Sequence, residues 1–266
     1  MRAGRSGSAV VVAATLALGA FTAPPAEAAS TGIKVWNMAM TDKGKSIIVG
    51  TTADVMPEFT YNVRWPSGSK WSERDAWPYL YHGTTAAKAF TSGDNYVPSM
   101  VTYYDDGTCD GAMFIQPRQA LRSNSDATTW KIAIMTRIWE KGGGHPKSTE
   151  YQTGFGTVRV KRAAKVTVNA SPEPVVKGKK LTVTGRITRA DWVKHAYTGF
   201  AGGSARLQFR KAGTSTYTNV RTVKASSTGA LKTTVTAAGD GYWRWTFGET
   251  DTTGGATAAG DYVDVK

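Results

Sequence analysis

The 266-residue sequence predicts an all-β protein: two tandem immunoglobulin-like β-sandwich domains behind a cleaved signal peptide. Three observations lead there. Apolar residues alternate with polar ones at period two in short runs, the spacing that turns one face of a strand into a core. The runs recur about every 10 to 20 residues with Gly, Pro, Asn and Ser between them. The mature chain is rich in Gly, Thr, Val and Tyr, and few of its segments would make a good helix.

Residues 1–28 have the layout of a secretory signal. Arg2 and Arg5 open it, Ala9 to Phe21 is uncharged and apolar apart from Thr15, and Pro24 and Pro25 break the run before Ala26-Glu27-Ala28. Small residues at positions 26 and 28 satisfy the signal peptidase, so the mature chain is expected to start near Ala29. The apolar run is shorter than the roughly 20 residues a membrane helix needs. No later stretch is apolar enough to span, so the mature chain is expected outside the cell without a transmembrane segment.

Residues 29–162 form the first expected domain, with strands over 33–40, 46–51, 59–65, 77–82, 97–104, 111–115, 130–140 and 154–160. Asp105-Asp106-Gly107 reads as a hairpin tip, and 118–123 as the one turn of helix. Residues 163–266 form the second, with strands over 165–170, 181–187, 205–211, 217–224, 231–236 and 242–248 and a last one through Val263 and Val265. Seven strands in about 100 residues is the count of an immunoglobulin-like sandwich. Leu181, Val183 and Ile187 share one face, as do Leu207 and Phe209, and Trp243, Trp245 and Phe247. Trp192, Tyr197 and Phe200 fall in a polar loop. With its own strand set and aromatic core, this domain is expected to fold alone from Lys165.

The charge is uneven. The whole chain is +13, residues 29–160 only +2, and residues 161–266 carry seventeen Lys/Arg against seven Asp/Glu, a net of +10. A strongly basic exported domain points to an anionic partner. Cys109 is the only cysteine, so no internal disulfide can close and apolar burial must hold both cores.

Several stretches carry a resemblance. Val166-Thr167-Val168-Asn169-Ala170-Ser171-Pro172-Glu173-Pro174, Val176-Lys177-Gly178-Lys179, Leu207-Gln208-Phe209-Arg210-Lys211 and Gly260-Asp261-Tyr262-Val263-Asp264-Val265 are similar to a module of small secreted actinobacterial proteins of streptomycete type. Ile48-Val49-Gly50-Thr51-Thr52 and Tyr79-Leu80-Tyr81-His82-Gly83-Thr84 resemble their N-terminal domain. The resemblance implies a two-domain β-sandwich protein of unknown function, of a kind often loosely labelled calcium-binding. Such relatives often carry a cysteine pair near the position of Cys109; here the partner is missing.

Four constellations could carry chemistry. His82, His145 and His195 are too far apart in sequence for a zinc motif, and no G-x-S-x-G, H-E-x-x-H or phosphate-cradling loop is present, so no catalytic residue is assigned and a non-enzyme is expected. Asp105, Asp106 and Asp110 could offer calcium three carboxylates, although a hairpin tip attracts Asp and Gly for backbone reasons alone. Beyond calcium no cofactor is expected. Trp65, Trp71, Trp77, Tyr79 and Tyr81 could stack on sugars or fill a core. Arg206, Gln208, Arg210, Tyr242 and Arg244 are expected together on one outer face, where Asp264 has the parity to meet Arg244.

These expectations converge on a secreted, non-enzymatic binding protein of the envelope whose basic second domain contacts anionic cell-wall polymers. An inhibitor or partner of another exported protein is the first alternative, and a calcium-binding sandwich the second. Nucleic acid is not expected, because no aromatic-rich binding motif accompanies the basic residues.

Overall fold

The computed structural model describes residues 30–42 and 44–266. The expected signal peptide, 1–28, lies outside the described residues. Those described are 53% strand and 6% helix, against the 20–25% strand of an ordinary globular protein, and the fold is all-β. No helix among them is long and apolar enough to cross a membrane. The chain divides into two compact units. One holds the described residues as far as Ile47, with Asp54–Leu121 and Thr129–Arg159; the other takes Ile48–Ala53, Arg122–Thr128 and Val160–Lys266.

The first unit is a sandwich of two antiparallel sheets. Strands β1 (Lys34–Met40), β3 (Glu58–Arg64), β7 (Thr108–Met113) and β6 (Ser99–Tyr103) form one sheet in that order. In the other, β8 (Thr129–Trp139) lies between β4 (Arg74–Tyr81), whose far side carries β5 (Tyr96–Val97), and the pair β9 (Pro146–Gln152) and β10 (Thr157–Arg162). Alternation fills the space between the sheets: Phe59, Tyr61, Val63, Val101, Cys109 and Met113 from one, Ala76, Leu80, Ile132 and Ile134 from the other, all buried. The opposite face of β4 and β8 is buried too. Tyr79, Tyr81, Ala133 and Met135 pack beneath α1 (Ala86–Ser92) with Phe90, Tyr96 and Tyr151 around them.

That helix falls where no helix is expected, while 118–123 forms turns rather than a helix. Strand β9 is also additional to the expected set. The hairpin tip at 105–107 stands between β6 and β7, closed by Tyr104 N–H to the Thr108 carbonyl at 3.0 Å.

In the second unit β12 (Lys180–Asp191) pairs on one side with β11 (Ala164–Ser171) and on the other with β16 (Ala230–Thr236) and β13 (Ala196–Gly199). The facing sheet runs β15 (Thr218–Lys224), β14 (Ser204–Lys211), β17 (Gly241–Phe247), with β18 (Ala256–Thr257) and β19 (Asp261–Val263) both on the far side of β17. Four strands face five, paired antiparallel within each sheet, and two such packed sheets make the immunoglobulin-like arrangement. Leu181, Val183, Ile187, Leu207, Trp243, Trp245 and Phe247 meet in its core. Trp245 is wholly buried and donates its indole N–H to the Thr184 carbonyl at 3.0 Å. Strand β13, which holds Tyr197, was expected as loop.

The earlier segments complete this unit. Strand β2 (Ile47–Val49) brings Val49, whose carbonyl accepts from Ala163 N–H at 2.8 Å, and Trp192 sits fully buried against Gly50. Arg162 is buried with its guanidinium on the Ala190 carbonyl; burial, then the like charge of Arg189, lowers its pKa to about 10.

Candidate functional site on the outer face of β14 and β17

Strand alternation decides what this face presents. With Ala205 and Leu207 pointing inward, Arg206, Gln208 and Arg210 point outward; with Trp243, Trp245 and Phe247 inward, Tyr242, Arg244 and Thr246 point outward. Antiparallel register then sets the neighbours: Arg206 opposite Thr246, Gln208 opposite Arg244, Arg210 opposite Tyr242, and Tyr242 opposite Tyr262 of β19. All five residues expected from sequence therefore lie on one face.

Their contacts are specific. Arg244 Nε donates to Gln208 Oε1 at 2.8 Å, and Gln208 Nε2 donates to Asn219 Oδ1 at 2.9 Å. The Arg210 guanidinium lies 4.0 Å from the Tyr242 ring centroid and donates to the Thr214 carbonyl. Tyr242 and Tyr262 have ring centroids 5.1 Å apart, and Tyr262 is 41% exposed.

Tyr217 is a member the sequence reading missed. Its ring centroid is 3.6 Å from the Arg244 guanidinium carbon and 5.3 Å from that of Arg210. The pairing of Phe209 with Thr218 puts Tyr217 across from Arg210 one step nearer the turn, which is the signal the β14–β15 hairpin offered. Hydrogen bonding to Tyr217 chiefly holds the Arg210 pKa up.

The pairing of Arg244 with Asp264 does not form. Strand β19 runs antiparallel to β17 with Trp243 opposite Asp261 and Gly241 opposite Val263, so Asp264 falls beyond the start of β17, away from Arg244. It lies 3.8 Å from Lys266 Nζ instead. Two nearby carboxylates serve the backbone: Asp261 accepts from Ala170 N–H at 2.7 Å, and Asp240 from Val265 N–H at 2.8 Å. Among the described residues no carboxylate forms an ion pair with Arg206, Arg210 or Arg244.

The calcium candidates do not assemble. Asp106 Oδ1 accepts from Thr108 N–H at 2.9 Å, while Asp110 points from β7 and accepts from the Tyr104 hydroxyl at 2.9 Å. Asp105 is exposed at the hairpin tip. Among the described residues no group of three or more His, Cys, Asp or Glu is arranged to hold a metal ion. The Asp–Gly tip is explained by its turn, the backbone reading of the same residues.

The aromatic stretch is not a row of open rings either. Tyr79 and Tyr81 are buried. Trp65 and Trp71 pack on Tyr103 at 5.5 and 6.2 Å, with the Arg74 guanidinium 4.7 and 4.9 Å from the two indoles. His82 packs on Trp130 at 4.3 Å, and His145 and His195 are exposed.

No protein-family model matches the sequence, and no curated protein does. Among solved structures the chain is similar to the D0-D1 domain of intimin, at 10% identity over 86% of this chain and 98% of that one, with a TM-score of 0.26. It is similar at 12% identity to the Yersinia pseudotuberculosis adhesin InvE, over 85% of this chain and 58% of that one, TM-score 0.27. The BSP domain of a biofilm associated protein matches at 13% over 83% of this chain and 29% of that one, TM-score 0.24.

Proposed function

We propose that the mature chain is a secreted, non-enzymatic protein of the cell envelope whose second unit holds anionic wall polymers on the outer face of β14 and β17. One observation carries this reading: Arg206, Arg210 and Arg244 share that face with no carboxylate paired to them among the described residues. A cationic surface concentrates a polyanion, and salt screens the attraction over about 10 Å at 0.1 M. The uneven charge adds to this, since a net of +10 lies in residues 161–266.

The test is co-sedimentation of the mature chain with purified cell wall across a salt series, beside the triple variant R206Q/R210Q/R244Q. These side chains lie outside the core, so the variant keeps the fold while losing three charges. Retention should fall with salt and drop in the variant. Retention indifferent to both would make the basic surface a solubilising one, and specific capture of a single exported protein would favour the inhibitor alternative.

A further inference from the structure

We propose that Tyr217 makes this basic face a site for an anionic polysaccharide, by fixing Arg210 and Arg244 with their donor edges outward beside rings that can accept a sugar. The inference rests on the reading of the face as the anion-binding surface.

The geometry around Arg244 is over-determined for a surface arginine. Its guanidinium lies 3.6 Å from the Tyr217 centroid, and its Nε is held by Gln208, itself held by Asn219. A guanidinium stacked on a ring keeps its in-plane N–H groups, the donors that fit two oxygens of one oxyanion. Arg210 is held between Tyr242 and Tyr217 and gives one terminal N–H to the Thr214 carbonyl, which leaves its remaining donors for a ligand. Side chains already fixed lose less rotamer freedom on binding, so the same charges bind more tightly than free arginines would.

Tyr217 can lie there because position 260 is glycine. A Cβ on Gly260 would come 2.3 Å from the Tyr217 hydroxyl oxygen and 3.2 Å from Tyr242 Cβ. The first clash is with the far end of a flexible side chain, so a methyl there displaces the ring without forcing the backbone apart.

The occupant follows from charge and shape together. Three guanidiniums with no carboxylate beside them favour a polyanion, and Tyr262, 41% exposed and packed on Tyr242, adds an open ring next to the two that Arg210 and Arg244 cover. A bare chain of phosphates would use only the arginines. A polysaccharide bearing oxyanions uses both, its sugar C–H faces resting on tyrosine.

The experiment measures binding of the mature chain to dextran sulfate, to uncharged dextran and to inorganic polyphosphate matched in charge concentration. Dextran sulfate should bind most tightly, polyphosphate more weakly, and dextran not at all. Tyr217→Ala and Gly260→Ala should each weaken dextran sulfate binding about threefold to fivefold, the range of an exposed cation–π contact. Neither changes net charge, so the salt dependence should keep its slope. Tyr217→Phe keeps the ring on Arg244 but loses the hydroxyl bonded to Arg210, so it should bind between the parent and Tyr217→Ala.

The two levels separate cleanly. Undiminished dextran sulfate binding by R206Q/R210Q/R244Q would overturn the face itself. Loss in that triple variant with full binding by Tyr217→Ala and Gly260→Ala would overturn the part given to Tyr217 and leave the face standing. Equal affinity for polyphosphate would overturn the polysaccharide.

Discussion

The indole of Trp192 donates its Nε1–H to the main-chain carbonyl of Gly50 at 2.9 Å, across 142 positions of sequence. Both residues belong to the second compact unit. Beside them Asn124 Oδ1 accepts from Trp192 N–H at 3.0 Å, while Asn124 Nδ2 donates to Asp191 Oδ1 at 3.0 Å. The second sandwich is thus finished by residues lying 67 to 142 positions earlier in the chain.

Asn124→Ala should destabilise the second unit by about 1–3 kcal/mol, because it strips partners from the Trp192 amide and the Asp191 carboxylate. Urea unfolding followed by tryptophan fluorescence measures it. A fragment starting at Lys165 keeps its strands but lacks the cover on Trp192. Its emission should lie to the red of the intact protein, and an unshifted spectrum would show that the earlier segments are dispensable.

Trp245→Ala should cost roughly 3–5 kcal/mol, the range for emptying a buried indole site. Gly185→Ala should be damaging at the same place. A Cβ there would sit 2.3 Å from the Thr167 carbonyl oxygen and 2.7 Å from Trp245 Cδ1, and a backbone oxygen in a paired strand cannot swing away. Denaturant midpoints of the two variants read both effects, and a loss below about 1 kcal/mol in either would contradict the packing.

Cys109 is buried within the first sandwich, and that burial pushes its thiol pKa up from 9.0 to about 12. The native thiol should resist alkylation at pH 8 and react at once in denaturant. Linkage gives the sign of the pH effect. Above about pH 9 the unfolded chain releases this proton while the folded one holds it, so the contribution is full below pH 9 and disappears as pH climbs toward 12. Cys109→Ala should flatten that part of the stability curve.

Millimolar calcium and a chelator should give superimposable melting curves. An ion bound to the folded state raises Tm with the logarithm of its excess over Kd, but Asp106 and Asp110 are engaged by Thr108 and Tyr104 and Asp105 stands exposed at the tip. An upward shift that Asp105→Ala abolishes would reinstate the calcium reading.

Alternation made much of this protein legible. Trp243, Trp245 and Phe247 went inward as their parity required, and the same parity put Arg206, Gln208, Arg210, Tyr242 and Arg244 outside. Helix α1 was hidden by its length: seven residues give too few turns for a period to show, and its markers are only Thr85, which caps Lys88 N–H at 3.2 Å, and the left-handed Gly93. Strand β9 opens on Pro146 and stays half-buried, so it has no clean alternation. Asp264 was misplaced because parity gives the side of a sheet but not the register along it. Tyr217 lies at the turn end of a hairpin, and its packing on Arg244 depends on Gly260, 43 residues on, which no local pattern encodes.

The chain crosses between the two compact units five times, since Ile48–Ala53 and Arg122–Thr128 leave the first to complete the second. Modules that recombination can trade among proteins are joined by a single crossing, so that one cut in the gene frees a whole domain. Here no one cut does so. A gene carrying only the last hundred codons would encode a sandwich without Gly50 and Asn124. Freeing either unit whole therefore takes more than one cut in the gene.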